Sequence, residues 1–215
     1  MSAMTVRVAR WLPCVLLLVL VPVRVEAESI PDKTHFVPMD SALAARLAAL
    51  LSGWLARTTE GHTGLAFSGF RRAVEYNAAI EPIPWGANES SADSAQLSLR
   101  QRFGYIRFSP DSSRYVDLNL YGEIVVVNGD TEFLSGPDQT VKLVDPGRRT
   151  TARLQSWGTG GRTEEAAWID DSTLALASCV EVERTRHVVR SLVVNVLRLN
   201  SGQRTIYVWR AGDGK

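Results

Sequence analysis

Leu43, Leu47, Leu50, Leu51, Trp54 and Leu55 recur at three- and four-residue intervals, which lines one face of an amphipathic helix. Asp40 and Ser41 offer N-cap oxygens in front of that run, while Arg57 and Gly61 suit its end, so the spacing predicts one helix near 41–57. The polar face carries only Arg46 and Arg57, thin for lipid headgroups, and the apolar face is expected to pack on a sheet. Residues 28–39, with Pro31 and Pro38, read as an extended lead-in. Residues 64–76 fit either a strand or a helix, and 77–94 read as loop around Pro82, Pro84 and Gly86. From about Leu97 to Arg210 the period becomes two. Val116, Leu118 and Leu120 alternate with Asp117 and Asn119, Leu174 and Leu176 with Ala175 and Ala177, and Ile206 and Val208 with Tyr207 and Trp209. Asn128-Gly129, Asp145-Pro146-Gly147 and Asn200-Ser201-Gly202 punctuate these runs as turns.

The β region also repeats itself. Phe108-Ser109-Pro110-Asp111-Ser112-Ser113, followed by Tyr115 to Leu118, matches Trp168-Ile169-Asp170-Asp171-Ser172-Thr173, followed by Leu174 to Ala177. Val141 to Thr150 matches Val196 to Thr205 without a gap. Each unit reads aromatic, Asp-Ser turn, strand, hairpin excursion, strand, Gly turn, strand, the signature of stacked supersecondary units. The phrase Phe108-Ser109-Pro110-Asp111 and the stretch Val141 to Gly147 resemble a β-propeller blade of the TolB-like or WD40-like kind. Small exported bacterial proteins have a similar general look and offer no activity to carry over. The resemblance covers about half the chain, and two units cannot close a ring that needs about 4–8 blades. It implies a mainly β fold of two repeated antiparallel blade-like sheets at about 100–150 and 151–210, as an incomplete propeller or an open sandwich. Phe108 and Trp168 would occupy equivalent, substantially buried positions. The domain reading is a signal peptide at 1–27, an N-terminal extended segment, helix and loop at 28–96, and a β-rich domain at 97–215.

The N-terminus adds location. Arg7 and Arg10 precede an apolar run from Trp11 to Val23, and Val25-Glu26-Ala27 ends it, a secretory signal pattern too short for a comfortable membrane span. The expected location is periplasmic or secreted, with membrane attachment only through an uncleaved signal. Over the 215 residues, 24 Lys+Arg face 23 Asp+Glu, a balance that argues against a nucleic-acid partner held by a basic surface. Cleavage would also remove Cys14 and leave Cys179 alone, so no intrachain disulfide is possible.

Chemistry is sparse. His35, His62 and His187 lack a neighbouring ligand at metal spacing, and Asp170-Asp171 lacks the alternating acidic loop of a calcium site, so no metal or cofactor is expected. No nucleophile elbow or C-x-x-C stands in the mature chain, and Cys179 sits in an alternating strand as a small apolar residue would. No catalytic residue is therefore assigned, although Glu164, Glu165, Asp170, Asp171, Glu181 and Glu183 leave a dispersed carboxylate site open. The ligand-binding candidates are Trp157 and Arg162, an apolar plate and a charge-assisted donor flanking the Gly-rich stretch 158–161, and Trp85 in the Pro-rich loop. These observations predict an exported non-catalytic binding or scaffold protein, its partner a protein or glycan of the cell envelope or a second copy of the chain. A hydrolase with a site dispersed in sequence is the first alternative. A carbohydrate-binding module using Trp85, Trp157 or Trp209 is the other.

Overall fold

The computed structural model describes residues 37–59, 65–85, 94–118, 123–128, 130–134, 138–184 and 187–209. The predicted signal peptide and Cys14 lie outside them, as do His35 and His62. In chain order the elements are β1 (Val37–Pro38), α1 (Ser41–Leu50), α2 (Ser52–Thr59), a 3-10 turn (Phe67–Gly69), β2 (Arg71–Asn77), β3 (Glu81–Ile83) and α3 (Ser94–Arg102). Then come β4 (Ile106–Phe108), β5 (Tyr115–Asp117), β6 (Glu123–Val127), β7 (Asp130–Leu134), β8 (Gln139–Asp145) and β9 (Thr150–Trp157). The chain ends on β10 (Gly161–Asp170), β11 (Thr173–Arg184), β12 (His187–Arg198) and β13 (Gln203–Trp209).

The protein is mainly β, built on two antiparallel sheets. The larger has strand order β1-β2-β13-β12-β11-β10, the smaller β3-β9-β8-β5-β4, and β6-β7 form a separate hairpin between β5 and β8. Val116, Leu118, Val141 and Leu154 from the smaller sheet meet Trp168, Leu174, Leu176 and Leu197 from the larger in one core between the sheets. The other face of the larger sheet (Ala167, Ile169, Ala175, Ala177, Val194, Val196) buries Leu47, Leu51, Trp54, Phe67 and Phe70. The outer face of the smaller sheet packs Ile106, Tyr115 and Val144 against Leu97 of α3 and Trp85. Four layers result, with helical elements outside both sheets.

Several expectations need correction. Residues 97–102 are helical, not β: Ser94 to Arg102 lacks β-branched residues and is rich in Leu, Gln and Arg, whose helix propensity outweighs the Leu97/Leu99 alternation. Asp40 caps α1 through its carboxylate, accepting from the Ala42 and Leu43 N–H groups at 3.0 Å. The helix then breaks at Leu51 (φ −110°, ψ 21°), although Leu51 still donates to the Leu47 carbonyl. Leu50, placed on the buried stripe, is exposed. Residues 71–77 and 81–83 are strands, β2 pairing β13 and β3 pairing β9, each extending a sheet.

Two meanders stand out: β4-β5-β8-β9 and β10-β11-β12-β13 follow the same order. Phe108 pairs with Tyr115 and Trp168 with Leu174, so both aromatics hold the same register position. Both meanders also point the same way. Tyr115 and Val144 face away from the larger sheet, whereas Leu174 and Leu197 face the smaller one. Trp168 is therefore sandwiched at 7% exposure, while Phe108, on the outer face of the smaller sheet, remains 36% exposed among the described residues. The expectation that Phe108 is substantially buried is not met: among the described residues no second sheet lies over that face, as the smaller sheet lies over Trp168.

The sequence match is also two residues out in its second half. Asp145 pairs Thr150 and Arg198 pairs Gln203, so loop 146–149 corresponds to 199–202. The left-handed residue ending each loop is then Arg149 (φ 52°) in one and Gly202 (φ 69°) in the other, not Gly147 and Gly202. A two-residue slip leaves every side chain on its own face, so the apolar pattern cannot detect it. Arg149→Gly should raise stability by about 0.5–1 kcal/mol in urea unfolding by relieving the left-handed conformation. Gly202→Ala should cost about 1–3 kcal/mol, because it introduces a left-handed strain that glycine does not have and puts a Cβ 2.6 Å from the Ala78 carbonyl oxygen.

The first turns of the meanders bond alike. Asp111 accepts from the Ser113 N–H (3.0 Å) and hydroxyl (2.8 Å), and Asp170 from the Ser172 N–H and hydroxyl, both at 2.8 Å. The turns also touch, the Asp111 N–H donating to Asp171 Oδ1 at 3.1 Å. The Ser109 hydroxyl, then the Ser113 N–H and hydroxyl, lower the Asp111 pKa from 3.8 to about 2. Burial pushes Asp170 up, but the Ser172 and Thr173 donors outweigh it and the net shift is downward. A depressed folded pKa gives stability that is present above the unfolded value and lost as pH falls through the folded one. For Asp111 that window runs from about pH 4 down to about 2. Asp111→Asn should flatten the urea midpoint across this window and leave its slope above pH 5 unchanged.

Candidate functional site

Strand β10 is an edge strand of the larger sheet, and most polar contacts of interest gather along it. A bulge between Thr163 and Glu165 leaves Glu164 as the extra residue. Its carboxylate accepts from Trp54 Nε1 at 2.9 Å. Glu165 is held by Arg107 (Nε–Oε1 2.8 Å) and by Arg57 at 3.3 Å. Arg46 of α1 donates to the Ile169 carbonyl, so the thin polar face of the helix pair is spent on this edge. Farther along, the Gln139 side chain acts as a strand in miniature. Its Nε2 donates to the Thr163 carbonyl at 2.8 Å, and its Oε1 accepts from the Thr163 N–H at 2.7 Å.

Around the bulge lies a cavity of about 470 Å³, lined in part by Arg57, Arg162, Arg190, Glu164, Cys179 and Phe103. The ladder explains this convergence. Arg162 pairs Cys179, Cys179 pairs Leu192, and Arg190 stands two residues from Leu192, so all four project from the helix-side face. Arg57 arrives from the last turn of α2, and Phe103 from the loop that ends α3. Burial first, then Glu164 and Glu181, raises the Cys179 thiol, with Arg190 opposing them. A neutral, half-buried thiol is a poor nucleophile. Maleimide should label Cys179 at pH 7 at least about tenfold faster in urea than in the folded protein.

The three predicted ligand residues are not brought together on one surface. Arg162 lines the cavity and is exposed. Trp157 donates through Nε1 to Thr163 Oγ1 at 2.8 Å, and its ring covers Gly161 so closely that a Cβ there would lie 2.3 Å away. Trp85 is partly buried on the outer face of the smaller sheet. Trp209 packs on the helix-side core. Sequence reasoning missed Arg57 and Arg190 as cavity residues, since only the pairing of three strands and a helix end joins them to Arg162.

Among the described residues, no group of three or more His, Cys, Asp or Glu could hold a metal ion, and no helix is long and apolar enough to cross a membrane. No protein-family model, curated protein or solved structure matches this chain.

Proposed function

We propose that this chain is an exported, non-catalytic binding protein, and that the cavity at the β10 bulge is where it engages its ligand. The observation that carries this reading is the convergence of Arg57, Arg162 and Arg190 from three separate elements on one cavity of about 470 Å³. That volume lies in the range of small-ligand sites. The apolar run from Trp11 to Val23 behind Arg7 and Arg10 supports export. The same-sense facing of the two meanders supports a blade-like pair, with helical elements over the faces where further blades would stack. Terminal caps of that kind are what a stack of units requires.

The test immobilises the full-length chain and exposes it to an envelope extract of its source. Wild type should retain a component that Arg162→Glu/Arg190→Glu releases. A panel of esterase, glycosidase and peptidase substrates should give no turnover. Reproducible turnover abolished by one substitution would replace this reading with the hydrolase. Retention unchanged by the double charge reversal would move the site elsewhere.

A further inference from the structure

We propose that this cavity is an oxyanion site, taking the carboxylate or phosphate of a small ligand whose apolar part rests on Phe103, Tyr105 and Leu192. The inference rests on the binding-protein reading and names its ligand chemistry.

The cationic side chains outnumber the acidic one. Three arginines line the space against a single carboxylate, Glu164, and one Glu164 oxygen is already committed to Trp54 Nε1 at 2.9 Å. Arg162 has no hydrogen-bond or ion-pair partner among the described residues, although its guanidinium carries five N–H donors in a fork that fits an oxyanion. Arg57 and Arg190 hold Glu165 and Glu181 only at 3.3 and 3.4 Å. Both are more exposed than their partners, so each can turn donors inward without unfolding anything. Such exposed ion pairs contribute little to stability, which makes re-pairing with a ligand inexpensive.

The floor is chemically suited to the same guest. Leu192 is buried, and Cys179 presents a thiol that burial keeps protonated, so the floor itself adds no negative charge, and Glu181, which also acts on that thiol, is paired with Arg190 at 3.4 Å. Phe103 is among the exposed large hydrophobic side chains and stands on the cavity wall with Tyr105 and Leu118. An exposed aromatic beside an open guanidinium fits an anion that carries a ring or a short aliphatic group. A bare inorganic ion would leave that wall unused.

The experiment titrates the full-length protein by calorimetry with phenyl phosphate and with benzoate, using benzyl alcohol as the neutral control. Saturable binding of either anion, with none of the alcohol, is expected, and the two arms say which oxyanion is preferred. Arg162→Ala should weaken binding about tenfold or more, the loss of one charge-assisted donor pair, and Arg162→Lys should weaken it less. Arg148→Ala, on the exposed β8–β9 loop, should leave it unchanged. Raising the salt concentration should weaken it. Failure of both anions to saturate at millimolar concentration overturns the proposal, as does binding that Arg162→Ala leaves intact. If the anions fail while the charge-reversed cavity still loses its envelope component, the ligand class is wrong and the binding reading stands.

Discussion

Replacing Gln139 by alanine is expected to lower the unfolding free energy by about 2–5 kcal/mol and to make the protein self-associate through β10. Gln139 is buried, and its amide occupies both main-chain groups of Thr163, itself buried. Truncation strands an N–H and a carbonyl, each with a desolvation cost of about 1–3 kcal/mol. No other side chain offers a donor and an acceptor with the same spacing except asparagine, which is one methylene short. The Thr163 hydroxyl also ties into this cluster, accepting from Trp157 Nε1 at 2.8 Å and lying 3.2 Å from the Ser178 hydroxyl. Gln139→Glu keeps the acceptor for the N–H but sets a carboxylate against the Thr163 carbonyl. It should therefore be at least as damaging at pH 7 and partly rescued on acidification. Urea unfolding measures the first effect and light scattering the second. A Gln139→Ala midpoint equal to wild type, with a monomeric protein, would show that water or another group serves that edge.

The role of Gln139 could not be read from the sequence, and the reason separates the legible features from the hidden ones. Periodicity reports which face of an element is apolar. It located the stripe Leu47, Leu51 and Trp54, which is buried, and the alternation of Leu174 and Leu176 with Ala175 and Ala177, whose two faces enter two different cores. Leu50 fits the stripe's spacing but is exposed, because it borders the stripe at the point where Leu51 breaks the helix. Register is another matter. A slip of two residues preserves every face, so Arg149 and Gly147 could not be told apart as the partner of Gly202. Contacts between elements are less legible still. Arg162 stands out for its chemistry beside a Gly-rich stretch, yet Arg57 and Arg190 lie 105 residues before and 28 residues after it. Trp157 stands beside the same stretch, and its indole N–H serves the edge-strand cluster. A polar or aromatic residue near a glycine run is as readily explained by packing as by binding, and only pairing geometry separates the two.

Asp117→Ala should be the most costly polar substitution, at about 3–5 kcal/mol. Asp117 lies on β5 beneath α3 and accepts from Arg100 Nη2 at 2.7 and 2.9 Å. Its ladder partner Lys142 is buried too, so this carboxylate stands between two cations on the outer face of the smaller sheet. Losing it takes a carboxylate partner from Arg100 in a site that water reaches poorly, and the cost is dominated by the desolvation of that guanidinium rather than by the lost attraction. The asymmetry is the discriminating feature. Arg100→Met removes one cation, retains most of the alkyl packing and leaves Asp117 facing Lys142, so its cost should be well under half that of Asp117→Ala. Asp117→Asn keeps the shape and one acceptor, and should fall between them. In the double variant Asp117→Ala/Arg100→Met, the second change should recover part of the loss, a coupling that urea midpoints resolve directly. Equal losses for Asp117→Ala and Arg100→Met, with simple additivity in the pair, would mean that Lys142 is neutralised from elsewhere and that α3 is held to the sheet by Leu97 packing alone.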